Sequence, residues 1–114
     1  MYALLLLLTA CADPIVTTII EDEGTVCLDG EAVVIQFPGC LSSSCDTLVS
    51  ATCTADLQGS TLVVTGRAVI DSQGEECTAD CGLISATCTT PTLPDEVVVQ
   101  YAGRDGALEA CTLP

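Results

Sequence analysis

Cysteine content is the feature that most constrains the fold, because nine of the 114 residues are cysteines. The chain has no histidine and no C-x-x-C pair, so the common sequence signals for structural zinc and for thioredoxin-like redox chemistry are missing. Cys40 and Cys45, and Cys77 and Cys81, come close to metal-ligand spacing, and a metal site remains the rival interpretation. We predict disulfides instead, since small domains in oxidising compartments are often rich in them.

The first eleven residues combine an apolar run with a cysteine. Ala3 and five consecutive leucines precede Thr9 and Ala10, and Leu8-Thr9-Ala10-Cys11 resembles the lipobox of bacterial lipoprotein signal peptides. The resemblance implies cleavage before Cys11 and a diacylglycerol thioether on its sulfur. It ends at Cys11, and we recognise no family pattern in residues 12–114. A signal peptide also requires a positively charged start, an apolar segment of about 7–15 residues and small residues before the cleavage site. The apolar segment and the small residues are present, whereas Met1-Tyr2 carries no Lys or Arg.

The parity of the cysteines supports the same interpretation. An odd count in an exported protein leaves one cysteine to be explained, and a lipid on Cys11 explains it. The remaining eight can form four disulfides, with a pairing that the sequence leaves open: Cys27, Cys40, Cys45, Cys53, Cys77, Cys81, Cys88 and Cys111. The alternative is that residues 3–10 form a core strand or short helix and Cys11 is an ordinary half-cystine. A membrane-spanning helix is disfavoured, because Asp13-Pro14 ends the apolar run before the roughly 17–25 residues that a span requires.

The resulting organisation is a signal peptide over residues 1–10, a lipidated N-terminus and short tether over 11–14, and one β domain over 15–114. Sixteen acidic residues against Arg67 and Arg104 give a net charge of −14. Nucleic acid is therefore excluded as a partner, because phosphate backbones are bound by Lys and Arg. Self-repulsion of the acidic surface favours a soluble monomer.

The acidic residues also raise the possibility of a calcium site, because calcium binds clustered carboxylate oxygens. Three groups qualify: Glu21-Asp22-Glu23, Asp29 with Glu31, and Asp71 with Glu75 and Glu76. None matches the EF-hand loop, and all lie where polar turns are expected. We therefore predict no metal or cofactor, and keep a calcium site at Asp71, Glu75 and Glu76 as the alternative.

Short runs of Val, Ile, Thr and Leu separated by turn-forming residues predict an all-β fold, either a small antiparallel β-sandwich or a partly open barrel. The candidate strands are 15–20, 25–28, 31–37, 47–54, 60–70, 83–90, 96–102 and 107–112. Asp29-Gly30 predicts a hairpin turn, and two prolines predict an extended loop over 90–95.

A weak internal duplication joins two of these strands. Residues 48–54 return 35 residues later as 83–89, with six of seven positions identical. Strand alternation predicts that Val49, Ala51 and Cys53 share a buried face, as do Ile84, Ala86 and Cys88. One symmetric pairing of the cysteines follows, in which Cys53 bonds Cys77 and Cys88 bonds Cys111, among the 105 that eight cysteines allow.

Catalysis is disfavoured because the sequence lacks the His and Lys that most often act as general bases. We therefore expect a non-catalytic structural or protein-interaction module, anchored by lipid in the bacterial envelope. Ala12 after the lipidated cysteine, by resemblance to other lipoproteins, favours the outer membrane over the inner. The alternatives are a calcium-dependent binding module and a soluble secreted disulfide-rich protein without lipid.

Overall fold

The computed structural model describes residues 13–112, which form eight β-strands and no helix. The strands make two sheets, one of five strands and one of three, which face each other across a common core. The predicted all-β sandwich with disulfide bracing is therefore confirmed. The strands are β1 (Val16–Glu21), β2 (Thr25–Asp29), β3 (Ala32–Gln36), β4 (Asp46–Gln58), β5 (Thr61–Ser72), β6 (Ser85–Thr89), β7 (Val98–Tyr101) and β8 (Arg104–Ala107).

The five-stranded sheet is organised around β5. One edge of β5 pairs with β4 over its full length. The other edge is shared, because β1 pairs with residues 67–72 and β7 pairs with Thr61, Leu62 and Val63. The β5–β7 pair is parallel, whereas the remaining pairs are antiparallel, and β8 extends the sheet beyond β7. This single parallel pair is not foreseen by the spacing of the strands.

The three-stranded sheet has the order β2-β3-β6, with all strands antiparallel. The predicted hairpin between β2 and β3 is confirmed, one residue later than the Asp-Gly pattern suggests. Asp29 is the last strand residue and pairs with Ala32, so Gly30 and Glu31 form the turn. Gly30 has a φ of 62°, which glycine adopts without a steric penalty.

The core lies between the sheets and consists of alternate residues along the strands, as the period of two requires. Val33 and Ile35 from one sheet and Leu62 from the other are completely buried. Gly66 on β5 lies against Ile35 and Phe37, and a Cβ at that position would overlap the Cδ1 atom of Ile35. The absence of a side chain at Gly66 thus allows the sheets to approach there.

The last predicted strand, 107–112, is wrong. Ala102 and Gly103 both have positive φ, 55° and 73°, and such a two-residue turn folds the chain directly back on β7. β8 therefore runs from Arg104 to Ala107, pairing Tyr101 with Arg104. The following residues are tied to β2 instead: the Leu28 amide donates to the Glu109 carbonyl (2.7 Å), and the Cys111 amide donates to the Leu28 carbonyl (2.8 Å).

The predicted faces of the duplicated strands are confirmed in one copy and wrong at one position of the other. Ile84, Ala86 and Cys88 are buried and alternate with exposed residues. In the first copy Ala51 and Cys53 are half-buried, but Val49 is 55% exposed. A register shift in the pairing with β5 between Leu48 and Ser50 inserts Val49 as a bulge, and a bulge breaks the alternation.

Four disulfides join all eight cysteines of residues 13–112: Cys27–Cys111, Cys40–Cys81, Cys45–Cys77 and Cys53–Cys88. The symmetric pairing of Cys53 with Cys77 and of Cys88 with Cys111 is therefore wrong. The two copies of the duplicated segment belong to opposite sheets, so the equivalent cysteines Cys53 and Cys88 face and bond each other across the sandwich, with their Cα atoms 5.1 Å apart.

Candidate functional site

The predicted lipidation site, Cys11, lies outside the described residues. Asp13 is the first described residue. Its backbone carbonyl accepts a hydrogen bond from Nε2 of Gln73 (2.9 Å). Gln73 directly follows β5, and its amide donates to the Cys45 carbonyl (2.9 Å). The chain therefore enters the fold where β1 and β4 begin and β5 ends. We call this region, residues 13–17, 45–48 and 70–73, the N-terminal end of the sandwich.

Two loops beside the N-terminal end are joined covalently. Cys40–Cys81 and Cys45–Cys77 connect residues 40–45 with residues 73–82, with Cα separations of 4.9 and 5.5 Å. Leu41 and Gly82 also exchange two backbone hydrogen bonds of 2.8 Å. We call these segments the clamped loops. Covalent and hydrogen bonds hold them although most of their residues are exposed.

Hydroxyl groups and carboxylates complete the clamped loops. Ser42 Oγ donates to the Thr78 carbonyl (2.9 Å), and the Thr78 amide donates to Ser44 Oγ (2.9 Å). The amide of Ser43 donates to both carboxylate oxygens of Asp80, each at 3.3 Å. Sequence reasoning missed this network. The only available signal was the run of three serines between Cys40 and Cys45.

Asp46 and Asp80 are the carboxylates most strongly influenced by this network. Asp46 accepts hydrogen bonds from the Ser72 hydroxyl (2.6 Å) and the Ser42 amide (2.7 Å), which lower its pKa. The Thr78 hydroxyl, and then Ser43, lower the pKa of Asp80 in the same way. Both carboxylates are thus held ionised as hydrogen-bond acceptors, which suits them to fixing loops and not to donating protons.

In the first group of calcium candidates, Glu21-Asp22-Glu23, Glu21 and Asp22 bind different partners. Glu21 forms a surface ion pair with Arg67, with Oε1 and Nε 3.4 Å apart. Asp22 accepts a hydrogen bond from the Gly66 amide (2.8 Å), and its own amide donates to the Gly66 carbonyl (2.9 Å). The side chain of Asp22 therefore continues the β1–β5 ladder by one more residue.

The other acidic groups also fail to converge. Asp29 precedes the β2–β3 turn and Glu31 lies in it, whereas Asp71 accepts a hydrogen bond from the Thr17 hydroxyl (2.7 Å). Glu75 and Glu76 are exposed in the second clamped loop. Within residues 13–112, no three Asp, Glu, His or Cys side chains are arranged to hold a metal ion.

Tyr101 is the titratable group with the largest shift. Its hydroxyl donates to the Glu23 carbonyl (2.7 Å). Burial, followed by the negative charges of Asp22 and Glu23, raises the pKa of Tyr101 to about 12. At neutral pH the phenol is therefore a protonated structural donor that joins β7 to the turn after β1.

The described domain has several open concave surfaces of similar volume, about 250–320 Å³. One of them, about 320 Å³, lies between the β2–β3 turn and the loop from Thr90 to Leu93, and Glu31 supplies its one ionisable side chain. A second, about 250 Å³, surrounds Gly66 and includes the Glu21–Arg67 ion pair. Neither holds an acid and a base placed to share a substrate.

An apolar patch is more distinctive than any cavity. Seven large apolar residues of the described chain are at least 36% exposed, and five of them belong to β1, the residue before it, or the start of β4. Two of the five, Val16 and Leu48, have the strand parity of the buried Ile20 and Ile70 and lie on the inner side of the sheet. We define the apolar patch as the other three: Ile15, Ile19 and Val49. They place exposed apolar surface near the N-terminal end of the sandwich.

Comparisons with models of protein families, with curated proteins and with solved structures give no match. No helix within residues 13–112 has the length and hydrophobicity to cross a membrane. Any functional conclusion therefore rests on three features of the structure: the disulfide-braced sandwich, the clamped loops, and the apolar patch beside the point where the N-terminal segment joins the fold.

Proposed function

We propose that this protein is a lipid-anchored, non-catalytic module of the bacterial cell envelope, processed before Cys11 and acting in structure or protein interaction. The outer membrane is the favoured location. The single observation that carries the proposal is the agreement between the lipobox and the disulfide framework. The eight cysteines from Cys27 to Cys111 pair with one another, so Cys11 stands outside the framework of the described domain.

The stabilising features of the domain support an extracytoplasmic role. Disulfides persist in oxidising compartments and are rare in the reducing cytosol. Four bridges in a domain of this size, with sequence separations from 32 to 84 residues, connect regions across the whole fold. Such a domain is suited to the periplasm or the cell surface.

The chemistry of the side chains supports a non-catalytic role. Asp46 and Asp80 are saturated with hydrogen bonds that favour their ionised forms, and the phenol of Tyr101 remains protonated at neutral pH. General acid–base catalysis works best with groups whose pKa lies near the operating pH. The groups whose pKa is shifted here move away from that range.

The test is expression of the full chain in a bacterial host, followed by separation of soluble and membrane fractions. We expect the unaltered protein in the membranes, resistant to high salt and released by detergent, because an acyl chain contributes about 0.8 kcal/mol per buried CH₂. Cys11→Ser should be soluble. The double substitution Cys45→Ser/Cys77→Ser should remain in the membranes, which controls for the loss of cysteine as such.

Two results would overturn the proposal. One is membrane association of Cys11→Ser equal to that of the unaltered protein, which would make the lipid unnecessary. The other is a soluble unaltered protein that begins at Cys11 without acyl chains, which would favour the secreted alternative.

A further inference from the structure

We propose that the apolar patch is a membrane-contact surface, so that the anchored domain lies against the bilayer through the β1 side of its five-stranded sheet. This inference rests on the lipid anchor proposed above. It adds a specific orientation. The N-terminal end of the five-stranded sheet faces the acyl-chain boundary of the bilayer, and the end that carries β7 faces away.

Register brings the centre of the patch together on one face. Ile19 on β1 pairs directly with Val69 on β5, and Val69 pairs on its other side with Ser50 of β4. Directly opposite residues in antiparallel pairs have Cβ atoms about 5 Å apart. Ile19 and Ile20 are successive residues of β1, and Ile20 is buried, so Ile19 points away from the core.

The bulge in β4 adds a third apolar residue beside Ile19 and Val69. Regular alternation would direct Val49 inward with Ala51. The inserted residue instead leaves Val49 55% exposed, next to Ser50 and therefore close to Val69. Bulges commonly redirect a side chain, and here the redirection adds a branched apolar residue to the outer face. The result is a three-strand apolar row of Ile19, Val69 and Val49.

The attachment point of the chain places this row near the anchor. The carbonyl of Asp13 is bound by Gln73, the residue after β5. Asp13 is two positions after Cys11 in the sequence, and an extended chain covers about 7 Å over that distance. Ile15, 60% exposed, follows within the same segment. A lipid on Cys11 thus holds the N-terminal end close to the membrane surface, where the patch lies.

Charge determines which lipids suit the contact. The net charge of −14 repels anionic headgroups, so the partner is a zwitterionic lipid surface. Three carboxylates near the patch have partners within the protein: Asp71 is bonded to the Thr17 hydroxyl, Asp46 to Ser42 and Ser72, and Glu21 is paired with Arg67. Asp13, two residues before Ile15, is exposed. Shallow burial of aliphatic side chains, without deep insertion, fits this composition.

The absence of tryptophan from the sequence makes a direct test possible. Val49→Trp and Val98→Trp each introduce a single reporter at an exposed valine, 55% and 44% exposed, in the same sheet. Val98 pairs with Thr61, eight residues along β5 from Val69, a distance of roughly 27 Å at about 3.4 Å per residue. Ile19→Trp is a second reporter within the patch.

The lipidated full-chain variants are reconstituted in zwitterionic phosphatidylcholine vesicles that carry brominated acyl chains, which quench nearby tryptophan. We expect the fluorescence of Val49→Trp and Ile19→Trp to fall at least threefold more than that of Val98→Trp, with a shift to shorter wavelength. Intact mass and vesicle flotation establish the anchor independently in each sample.

The outcomes separate the two proposals. Anchored, floating protein with equal quenching at all three positions, or with none, overturns the contact surface and leaves the anchor standing; absence of quenching would leave the patch to a protein partner. Protein without acyl chains that does not float overturns the anchor, and the orientation with it.

Discussion

The core and the clamped loops are held by different means, although both belong to one small domain. Val33, Ile35 and Leu62 are completely buried between the sheets, and their stabilisation comes from apolar surface removed from water. The clamped loops contain Ser42, Ser43, Ser44 and Thr78, and they bury almost nothing. They depend on two disulfides and a network of hydrogen bonds.

This difference follows from what each segment offers. Strands with alternating apolar residues can share a core, whereas a serine-rich segment has no apolar face to bury. A disulfide stabilises such a segment mainly by restricting the unfolded chain, so it does not require buried surface. The comparison predicts that loss of a disulfide from the clamped loops should lower the free energy of unfolding and, in addition, increase local opening of those loops. Substitutions in the core should lower the stability of the whole sandwich without this added local effect.

The largest effect is expected from a matched pair of disulfide deletions. Cys53–Cys88 and Cys45–Cys77 close loops of 35 and 32 residues, so their effects on the unfolded chain are nearly equal. Cys88 is 2% exposed. We therefore expect Cys53→Ala/Cys88→Ala to lower the free energy of unfolding by about 3–5 kcal/mol and Cys45→Ala/Cys77→Ala by about 2–4 kcal/mol.

Denaturant unfolding measures these losses, and hydrogen exchange locates them. Deletion of Cys45–Cys77 should speed exchange in residues 40–45 and 73–82 by more than in β3 and β5, where it should rise only as far as the loss of global stability requires. Equal loss of protection in the core and in the loops would mean that the two regions are not held separately.

A leucine in the core should behave differently from one outside it. Leu62→Ala removes a completely buried side chain, and we expect a loss of about 3 kcal/mol in the free energy of unfolding, because the lost transfer energy adds to that of the cavity. Leu83→Ala is the control, since Leu83 is 60% exposed and should change stability by less than about 0.5 kcal/mol. Thermal melts of both variants provide the measurement, and similar shifts would contradict the proposed location of the core.

Substitution of Gly66 tests how closely the two sheets pack at this point of the core. Gly66→Ala should cost about 2 kcal/mol, because the new methyl group would overlap Cδ1 of Ile35. Ile35→Val removes that atom, so Gly66→Ala should cost less in the Ile35→Val background than in the unaltered protein. A double-mutant cycle by urea unfolding measures the coupling. Additive losses would show that Gly66 and Ile35 do not share this space.

The hydroxyl of Tyr101 connects β7 to the turn after β1, so its removal measures the stability that this hydrogen bond provides. Tyr101→Phe removes the hydrogen bond to the Glu23 carbonyl, with an expected loss of about 1 kcal/mol at neutral pH. The pKa of about 12 in the folded protein exceeds the ordinary value of about 10. This contribution is therefore complete below pH 10 and declines as the pH rises towards 12. Absorbance titration checks the pKa, and ionisation near pH 10 in the folded protein would contradict the burial of the ring.

The smallest effect is expected in the clamped loops at acid pH. The pKa of Asp46 is lowered in the fold, first by Ser72 and then by Ser42, so its stabilising contribution is present above the unfolded value of about 3.9 and lost as the pH falls below it. Amide exchange of Ser42 should accelerate over that range in the unaltered protein. Asp46→Asn should remove this acid-dependent step, and unchanged pH dependence in the variant would exclude Asp46 as its source.

The features predicted from the sequence are those set by local pattern. Alternation identified the all-β class and the buried face of Ile84, Ala86 and Cys88, and Asp29-Gly30 located the β2–β3 hairpin. The predictions were wrong where a bulge interrupts the inward–outward alternation of a strand or a turn reverses the direction of the chain. The Val49 bulge reverses an otherwise regular alternation, and the turn at Ala102-Gly103 places β8 earlier than its composition suggests.

The pairing of cysteines and the clamped loops required the three-dimensional structure. Sequence similarity between the two copies suggested that each copy forms its own bridge, but only the arrangement of the sheets shows that the copies face each other through Cys53 and Cys88. Likewise, Asp80 meets Ser43 only because two disulfides bring distant loops together. Such contacts depend on topology and have no local signature.

The most direct test of the account is a peptide map of the protein isolated from bacterial membranes, under non-reducing conditions and with intact mass. We predict a chain that begins at diacylated Cys11 and contains the bridges Cys27–Cys111, Cys40–Cys81, Cys45–Cys77 and Cys53–Cys88. A disulfide between Cys11 and any of these eight cysteines, leaving another of them as a free thiol, would contradict both the anchor and the disulfide framework.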